Sequence, residues 1–433
     1  MSERPKNVGR VSTRQTTSAH GDVGLRDDAA NPTYGGWIKT TIGDQATLQR
    51  GIDITKAEQR EGKVPVISSG GTSSYHDTAA AKGPGVVLGR KGVVGSVYYI
   101  EQDYWPHDTS LWVKDFHGNY PRFVYYFFKS IAPQIASMDV GSANPTLNRN
   151  HVHPIRITWP PLPEQKAIAH ILGTLDDKIE LNRRMNATLE AMARALFQNW
   201  FVDFDPVRAK LDGRQPAGLD AATAALFPTH FQESSLGHIP QGWEVLTLSE
   251  VIEVNPRRTL KSGAISPYLD MKNMPTQGHA ADEVIHREFS SGTKFQNGDT
   301  LLARITPCLE NGKSAFVDFL EDGQVGWGST EYIIFSPKPP LTPEFGYYLA
   351  RSDALRLLAI QNMTGTSGRQ RVPSECFTQF LLAVPPAKIA QRFGEITKPW
   401  MTMIHANIEQ SRTLAVLRDV LLPKLLSGEI STK

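Results

Sequence analysis

Apolar residues recur at helical spacing along the stretch from Pro161 to Phe201. Pro163 suits the first turn of a helix, Glu164 favours its positive N-terminal end, and no further proline occurs until Pro206. The apolar positions are Ile168, Ile171, Leu172, Leu175, Ile179, Met185, Leu189, Met192, Leu196 and Trp200. This spacing predicts one amphipathic helix on the order of 55–60 Å long.

One polar residue interrupts the seam of this predicted helix. Counting in sevens, the seam positions are Ile168, Leu175, Asn182, Leu189 and Leu196. A single buried Asn in an apolar seam fixes the register of paired helices at some cost in stability, so Asn182 favours a specific partner helix. The alternative is a long helix that lies on a globular core with Asn182 at its edge.

A second copy of the pattern lies between Pro385 and Ser427. Adding 225 to the numbers of the first copy places Asn182 on Asn407. The corresponding seam positions are Trp400, Asn407, Leu414 and Leu421. The second copy contains Pro399 and has no counterpart to the Pro163-Glu164-Gln165 triplet, so it is the less regular of the two.

The repetition extends to the regions that precede the helices. Three pairs of segments correspond: "GWIKTTIGDQAT" from Gly36 with "GWEVLTLSEVIE" from Gly242, "GVVLGRKGVVG" from Gly85 with "DTLLARITPCLENG" from Asp299, and "GSANPTLN" from Gly141 with "GTSGRQRV" from Gly365. The chain is therefore predicted to contain two units of one plan, each a mixed region followed by a long helix.

The mixed regions predict an α+β fold, because short strands punctuated by Gly, Pro, Asn and Ser alternate with local helices. The predicted order is a disordered or extended tail over 1–33, a mixed domain over 34–160, a long helix over 161–205, a linker with one short helix over 206–241, a second mixed domain over 242–384 and a second long helix over 385–429.

Composition excludes several classes of protein. The 46 Lys and Arg and 44 Asp and Glu give a net charge of +2, so nucleic-acid binding would depend on local basic patches. Cys308 and Cys376 are the two cysteines, which excludes a disulfide framework or a cysteine-cluster zinc site and fits the cytoplasm. Neither a membrane-spanning apolar run nor a signal peptide is indicated.

The sequence motifs that suggest catalysis are incomplete. The "NPTY" stretch from Asn31 is similar to an amino-methyltransferase motif, but Thr33 replaces a proline and no glycine-rich cofactor loop accompanies it. The "NGKS" stretch from Asn311 is similar to a phosphate-binding loop, but Pro307 stands where that loop needs Gly. The glycine-rich "GRKGVVG" from Gly89 lacks a dinucleotide-fold context. These motifs predict turns.

Two groups of polar side chains could also carry chemistry. His151 and His153 share a face of a possible strand, but they lack further zinc ligands. Asp176, Asp177 and Glu180 could act as paired carboxylates, although on an amphipathic helix they are expected to form the solvated face. We therefore predict no catalytic residue and no bound metal or cofactor in this chain.

An ordered set of segments resembles the type I restriction-modification specificity subunits. The segments are "GWIKTTIGD", "PVISSGGTSSYHD", "GPGVVLGRKGVVGSV", "WPHDTSLWV", "GSANPTLNRN", "WPPLPEQKAIAHILGTLDDKIELNRRMNATLEAMARALFQNWFVDFDP" and "IPQGWEV". The resemblance covers the chain from about Gly36 to Glu429, and its most specific piece is the Pro-Leu-Pro-Glu-Gln helix. The N-terminal tail and the altered start of the second helix depart from the family pattern.

The resemblance implies two target recognition domains separated by two long antiparallel helices with an internal pseudo-twofold repeat. Such a subunit reads an asymmetric two-part DNA sequence with a fixed gap, and the helices would set that gap. Modification and cleavage would belong to two methyltransferase subunits and to restriction subunits, which would use S-adenosylmethionine, ATP and Mg²⁺. Two alternatives stay open: an enzyme with fused recognition domains, or a coiled-coil scaffold without DNA affinity.

Candidate DNA contacts are polar loop residues at matching places in the two copies. Lys and Arg neutralise phosphates, Arg pairs with guanine, and Asn or Gln pairs with adenine. The candidates are Arg90, Lys91, Asn148, Arg149, Arg304, Lys313, Arg369, Gln370 and Arg371.

Apolar residues away from the seam suggest where partner subunits dock. These residues are Leu181, Phe197 and Phe201 on the first helix and Met401, Leu422 and Leu426 on the second. The recognition domains could cover part of them. The remainder is expected to bind two methyltransferase subunits.

Overall fold

The computed structural model describes residues 36–138, 146–366 and 368–432. The predicted N-terminal tail and the "NPTY" stretch lie outside these residues. Contacts divide the chain into two compact units. We call residues up to Asp177 together with those from Leu414 the first unit, and Lys178–Thr413 the second unit.

The mixed region of the first unit contains nine strands and four helices among its described residues. The strands are β1 (Ile38–Thr41), β2 (Thr47–Arg50), β3 (Val64–Ser68), β4 (Gly71–His76), β5 (Gly85–Gly89), β6 (Val97–Ile100), β7 (Trp105–Pro106), β8 (Ser110–Asp115) and β9 (Arg156–Trp159). The helices are α1 (Ile42–Gln45), α2 (Pro121–Ser130), α3 (Ala132–Ser137) and α4 (Arg149–Val152). The long helix α5 (Leu162–Phe201) follows.

The segment after α5, predicted as a linker with one short helix, is instead a folded part of the second unit. It contains α6 (Asp205–Leu211), α7 (Ala221–Ala225) and a hairpin of β10 (Phe231–Ser234) and β11 (Gly237–Pro240). Val207, Phe227 and Ile239 are buried in the same apolar core as the end of α5. The segment was predicted as a linker because its composition is mostly polar, and these three apolar side chains are what attach it to the core.

The mixed region of the second unit follows the hairpin. Its strands are β12 (Glu244–Thr247), β13 (Ile252–Val254), β14 (Ile265–Leu269), β15 (Ile285–Glu288), β16 (Thr293–Phe295), β17 (Thr300–Ala303), β18 (Ser314–Phe316), β19 (Gly326–Gly328), β20 (Tyr332–Pro337) and β21 (Leu381–Val384). The helices are α8 (Leu248–Val251), α9 (Pro343–Ala350) and α10 (Asp353–Gln361), with 3-10 turns at Met271–Asn273 and Ser374–Phe377. The second long helix is α11 (Ala387–Leu426).

The two mixed regions share one topology. Each has a four-stranded antiparallel sheet, with the order β2-β8-β5-β6 in the first and β13-β20-β17-β18 in the second. Each has another sheet that contains one parallel pair, β3 with β7 and β14 with β19. A two-stranded pair, β1 with β9 and β12 with β21, leads into each long helix. The predicted α+β class and internal repeat are confirmed.

The start of α5 is fixed to the first mixed region by the Glu164-Gln165 pair. The indole nitrogen of Trp37 donates to Glu164 at 2.9 Å. The buried Gln165 side chain accepts from the backbone N–H of Tyr120 at 2.9 Å and donates to the Asn119 side chain at 2.6 Å. These bonds explain why polar residues stand at the start of α5, because the Glu164 and Gln165 side chains both find hydrogen-bond partners there.

The start of α11 uses apolar contacts instead. Ile389 and Ala390 occupy the places of Glu164 and Gln165 and are buried in the core of the second unit. The buried indole nitrogen of Trp243, which corresponds to Trp37, finds no hydrogen-bond partner among the described residues. The two helix starts therefore differ in chemistry, while the fold around them is the same.

The long helices run antiparallel in the second unit. The Asn182 side chain is fully buried and donates to the backbone oxygen of Asn407 at 3.2 Å and to the Gln410 side chain at 2.9 Å. The Asn407 side chain donates to that of Asn186 at 2.8 Å, and Asn186 donates to the backbone oxygen of Ile404 at 3.4 Å. Asn182 on α5 contacts residues 407 and 410 of α11, whereas Asn186, one turn later, contacts residue 404. The two helices therefore run in opposite directions.

The first unit shows the same direction at the other ends of both helices. Ile168 and Leu172 share an apolar core with Leu422 and Leu425. Asp176 accepts from Arg418 at 2.6 Å. The remaining predicted seam residues, Leu175, Leu189, Leu196, Trp400, Leu414 and Leu421, are all half-buried.

Most of the apolar residues assigned to partner docking are covered by the units themselves. Phe197, Phe201 and Met401 are buried in the core of the second unit, and Leu422 is buried in the core of the first. Leu181 is 53% exposed. The docking prediction is therefore corrected for the four buried residues, because the mixed regions pack on the flanks of the helices.

No helix in the described ranges has the length and apolar character that crossing a membrane requires.

Candidate nucleic-acid interface

A polar cleft in the first unit lies where strands β2 and β5 end. Its volume is about 540 Å³. The walls combine the end of β2, the turn after β5, strand β8 and the start of α4, and their residues are Gln49, Arg50, Arg90, Leu111, Thr146, Leu147, Asn148 and Arg149. Three of the predicted contact residues, Arg90, Asn148 and Arg149, are thus brought together in one concave site.

The turn that carries Arg90 and Lys91 is held by its backbone. The N–H groups of both residues donate to the Thr109 carbonyl at 3.0 Å and to the Ser69 hydroxyl at 3.0 and 3.1 Å. A Cβ at Gly89 would lie 2.0 Å from the carbonyl oxygen of Val93, so only glycine fits there. The two cations therefore project from a rigid turn.

One carboxylate, Asp108, organises the cations of this cleft. It accepts from Arg50 at 2.8 Å, and the Lys91 ammonium lies 4.0 Å away. Burial raises the pKa of Asp108. The Arg50 hydrogen bond and the charges of His107, Lys91 and Arg50 together lower that pKa by more, so the net shift is downward. Burial and the charge of Arg50 lower the pKa of Arg90. Positive charges therefore outnumber carboxylates here, with Arg50, Arg90, Lys91 and Arg149 against Asp53 and Asp108.

The loop that contains Asn148 and Arg149 joins this turn. The N–H of Leu147 donates to the carbonyl of Arg90 at 2.9 Å. The Asn148 side chain accepts from the N–H of Asn150 and caps α4, and the exposed Arg149 reaches the carbonyl of Leu48 at 3.5 Å. The preceding residues 139–145, which include most of the "GSANPTLN" segment, lie outside the described residues.

The second unit repeats the backbone of this turn around Arg304. Its N–H donates to the Glu331 carbonyl and its carbonyl accepts from the N–H of Val372, both at 2.9 Å. Val372 is the counterpart of Leu147 in the first unit, and both are buried. The Nε of Arg304 is buried and finds no hydrogen-bond partner in the described parts of the chain. Arg90 and Arg304 therefore occupy equivalent places.

Residues 369–371 lie beside Arg304, but their side chains differ in whether they are already bound to other residues. Arg371 donates through Nε and Nη2 to both oxygens of Glu331, at 2.6–2.9 Å, and that carboxylate raises its pKa. The carbonyl of Gln370 accepts from the N–H of Thr306 at 3.0 Å. Arg369 is exposed, and its guanidinium makes no hydrogen bond or ion pair within the described residues. Ser367 lies outside the described residues.

Lys313 stands apart from this group. Its ammonium donates to the carbonyls of Met271 at 2.7 Å and Lys272 at 3.3 Å. Two of its three N–H donors are therefore used inside the domain.

The acidic and histidine groups on and near α5 have structural partners. Asp176 accepts from the Tyr126 hydroxyl at 2.7 Å and from Arg418, and Asp177 pairs with Arg122. The prediction of a solvated face is wrong for Asp176, because that residue joins α2, α5 and α11 in one polar network. His153 accepts from the backbone N–H of Leu48 at 2.9 Å, and burial lowers its pKa.

One group of side chains could offer ligand atoms to a metal. Atoms of Asp53, His107 and Asp108 lie within 4.8 Å of one another. Asp108 already accepts from Arg50. The group therefore belongs to the charge network of the cleft.

Gln49, Arg50, Thr146 and Asp108 were not among the predicted contact residues. The repeat gives no signal for Arg50, because strand β13, the counterpart of β2, ends in Val254 rather than in arginine. The signal that could have found Arg50 is its position at the end of strand β2, but only the fold brings it next to the "GRKG" turn.

Comparison with known proteins agrees with this architecture. Residues 34–191 match the family described as the type I restriction modification DNA specificity domain. The chain is 23% identical over 326 residues to the MjaIX specificity subunit of Methanocaldococcus jannaschii, covering 72% of this chain and 70% of that protein. It is 24% identical over 330 residues to the HindI specificity subunit of Haemophilus influenzae, covering 66% of this chain and 71% of that protein.

A solved structure shows the same fold. The type I restriction-modification S subunit from M. genitalium matches with a TM-score of 0.57 at 18% identity, covering 92% of this chain and 97% of that chain. Residues 34–191 thus match a DNA specificity domain of type I restriction-modification systems, and the chain is similar to type I restriction enzyme specificity subunits over about two thirds of its length.

Proposed function

We propose that this chain is a DNA-specificity subunit that reads a bipartite, asymmetric DNA sequence, one half with each mixed region. The observation that carries the proposal is the cleft of the first unit, which Arg50, Arg90 and Arg149 line, with the Lys91–Asp108 pair next to Arg50. In the second unit the equivalent turn carries Arg304, and Arg369 is exposed on the neighbouring segment. A chain with a net charge of only +2 has therefore concentrated cations at two corresponding places.

The different side chains at the two places support an asymmetric site. The first unit offers Asn148 and Arg149 at the start of a helix, where the second has Pro373 and Ser374. The second offers Arg369 and Gln370, for which the first has Asn144 and Pro145. Since Arg pairs bidentately with guanine and Asn or Gln with adenine, these sets favour different half-sites.

The test replaces Arg90 and Arg149 by Ala in the complex assembled with methyltransferase subunits. We expect the first half-site to weaken or relax by about 1–3 kcal/mol per lost base contact, with the second half-site unchanged. Lys82→Ala is the matched control, because this exposed cation lies before the opposite end of β5. Equal losses in both variants, or an unchanged recognition sequence in the double variant, would argue against the cleft.

The long helices are proposed to set the gap between the half-sites. A helix of 40 residues is about 60 Å long, and half-sites on one face of DNA lie about 34 Å apart per helical turn. Inserting one matched heptad into α5 and α11 keeps the seam register and lengthens each helix by about 10 Å. We expect a gap longer by about 3 base pairs, measured by mapping methylated bases. An unchanged gap would reject the ruler role.

Catalysis is proposed to reside in partner subunits, which would supply the sites for S-adenosylmethionine, ATP and Mg²⁺. Four of the five groups that suggested chemistry are engaged in structural contacts, namely Asp176, Asp177, Glu180 and His153. The purified chain should therefore transfer no methyl group to DNA. Methylation by the isolated chain that depends on S-adenosylmethionine would favour the alternative of an enzyme with fused recognition domains.

Two exposed apolar groups on the long helices are proposed to dock two methyltransferase subunits. In the first unit, Val416, Leu417 and Val420 of α11 are 65%, 44% and 51% exposed. In the second unit, Leu181, Met192 and Met403 are 53%, 46% and 48% exposed. One group in each repeat fits two copies of one partner.

Native mass spectrometry of the co-expressed subunits tests this stoichiometry. Wild-type protein should bind two methyltransferase copies, and Val420→Glu should bind one. Ile265→Glu, at an exposed residue of the second mixed region, is the control and should retain two. A wild-type complex that saturates at one copy would reject the two-site proposal.

A further inference from the structure

A second cluster of arginines lies in the second unit, around a cavity of about 80 Å³. Arg194 comes from α5, Arg351 follows α9, and Arg356 belongs to α10. The opposite wall is the Asn311–Ser314 turn, whose "NGKS" sequence is similar to a phosphate-binding loop but lacks its full motif. The fold thus places this turn against three guanidinium groups that come from other elements.

Arg351 is held in place by the domain. It donates to the carbonyl of Gly278 at 3.3 Å, to the hydroxyl of Ser314 at 2.8 Å and to the carbonyl of Thr276 at 3.0 Å. Its guanidinium also lies 5.8 Å from the centre of the Tyr347 ring. Three of its five N–H donors are used, and the other two are available in a fixed orientation.

The other two arginines retain more donors. Arg356 is exposed and donates one N–H to the carbonyl of Glu310. Arg194 is exposed on α5, and its guanidinium has no hydrogen-bond or ion-pair partner in the described portion of the chain. None of these bonds is to a carboxylate, so the three arginines form no ion pair within the described residues.

Asp353 is the single carboxylate in the lining. It is exposed, lies in the first turn of α10, and forms no ion pair with the three arginines within the described residues. Three neighbouring like charges repel one another, and an anion between them relieves that repulsion. A guanidinium offers a planar pair of donors that matches the oxygens of a phosphate group.

We propose that this cavity binds one phosphate group. Its volume of about 80 Å³ gives room for a single tetrahedral oxyanion. Arg351 would orient the anion, Arg194 and Arg356 would close on it, and the Asn311 side chain can donate a further hydrogen bond. The shared chemistry is a phosphate oxyanion, supplied by free phosphate or by a DNA backbone. Phosphate binding at this cavity is independent of DNA recognition by the cleft of the first unit.

The experiment uses the full chain and inorganic phosphate as the probe, with binding measured by calorimetry at constant ionic strength set with chloride. Wild-type protein should bind phosphate saturably with one site, and Arg194→Gln should weaken binding about tenfold or more, because a charge-assisted donor pair is lost. Arg184→Gln is the matched control, since Arg184 is exposed on the same helix and pairs with Glu180. It should bind phosphate as the wild type does.

Two results would overturn the proposal: no saturable binding by the wild type up to tens of millimolar phosphate, or equal binding by all three proteins. A final arm adds duplex DNA. Loss of phosphate binding in its presence assigns the site to a DNA phosphate, and unchanged binding assigns it to free phosphate. Because the readout is phosphate rather than sequence recognition, failure here is distinguishable from failure of the proposed DNA reading.

Discussion

The Asp108 carboxylate beside the cleft of the first unit gives a prediction of unusual sign, namely that Asp108→Asn should strengthen DNA binding. Asp108 holds Arg50 at 2.8 Å and lies 4.0 Å from Lys91. Asparagine keeps the shape and loses the charge, so about one more cation becomes available to phosphates. Each neutralised phosphate contributes about 0.9 to the slope of log K against log salt, which corresponds to about eightfold in affinity at 0.1 M salt.

The same change should hardly affect folding. The Arg50 side chain is 56% exposed, and such ion pairs contribute about 0–1 kcal/mol. The pKa of Asp108 is lowered in the folded protein, so the stabilisation by its charged form is present at neutral pH and is lost as the pH falls below about 4. At pH 7, Asp108→Asn should therefore lose no more than about 1 kcal/mol in the free energy of unfolding.

The assay is equilibrium binding of the assembled complex to a duplex without its recognition sequence, titrated from about 0.05 to 0.3 M salt, a range in which the backbone term dominates. Asp103→Asn is the matched control, because Asp103 also pairs with a cation of the first unit, Lys82, at 2.8 Å. The control should keep the wild-type slope. An unchanged slope for Asp108→Asn, or an equal rise in the control, would refute the reasoning.

Three further predictions follow from individual contacts. Gln165→Ala should destabilise the first unit by about 2–3 kcal/mol in urea unfolding, because the buried N–H of Tyr120 loses its acceptor; no measurable loss would contradict this. Asn182→Leu should change stability by less than about 1 kcal/mol, because the Asn182 side-chain oxygen is buried without a partner among the described residues; a loss above about 2 kcal/mol would contradict it. Arg369→Ala should relax the second half-site, by about 1–3 kcal/mol per lost base contact in methylation mapping, more than Arg371→Ala does; the reverse order would argue against this loop.

Hydrophobic spacing was sufficient to predict the long helices and the repeat. The predicted ranges 161–205 and 385–429 contain helices Leu162–Phe201 and Ala387–Leu426. Such predictions succeed because a helix face is a local property of the chain: residues three and four apart meet whatever the rest of the fold does. The correspondence of Asn182 with Asn407 was visible for the same reason.

The candidate site was predicted less completely, because a cleft is assembled from distant residues. Arg50, Arg90 and Arg149 come from three parts of the chain, and only the pairing of β2 and β5 with β8 brings them together. The sequence also could not distinguish a free cation from a bound one. Arg371 and Lys313 looked like equal candidates, yet one is paired with Glu331 and the other is bonded to backbone carbonyls.

The sequence by itself determined the α+β class, the duplication, the two long helices and the resemblance to type I specificity subunits, since each is encoded in local periodicity or in segment order. Tertiary structure alone decided which charges are compensated and which apolar side chains are covered. Phe197 and Phe201 illustrate the reason: their helical positions predicted exposed docking residues, but packing against Phe345 and Phe393 buries them. Burial and ion pairing depend on contacts between residues far apart in the chain, and these exist only once the two units have folded.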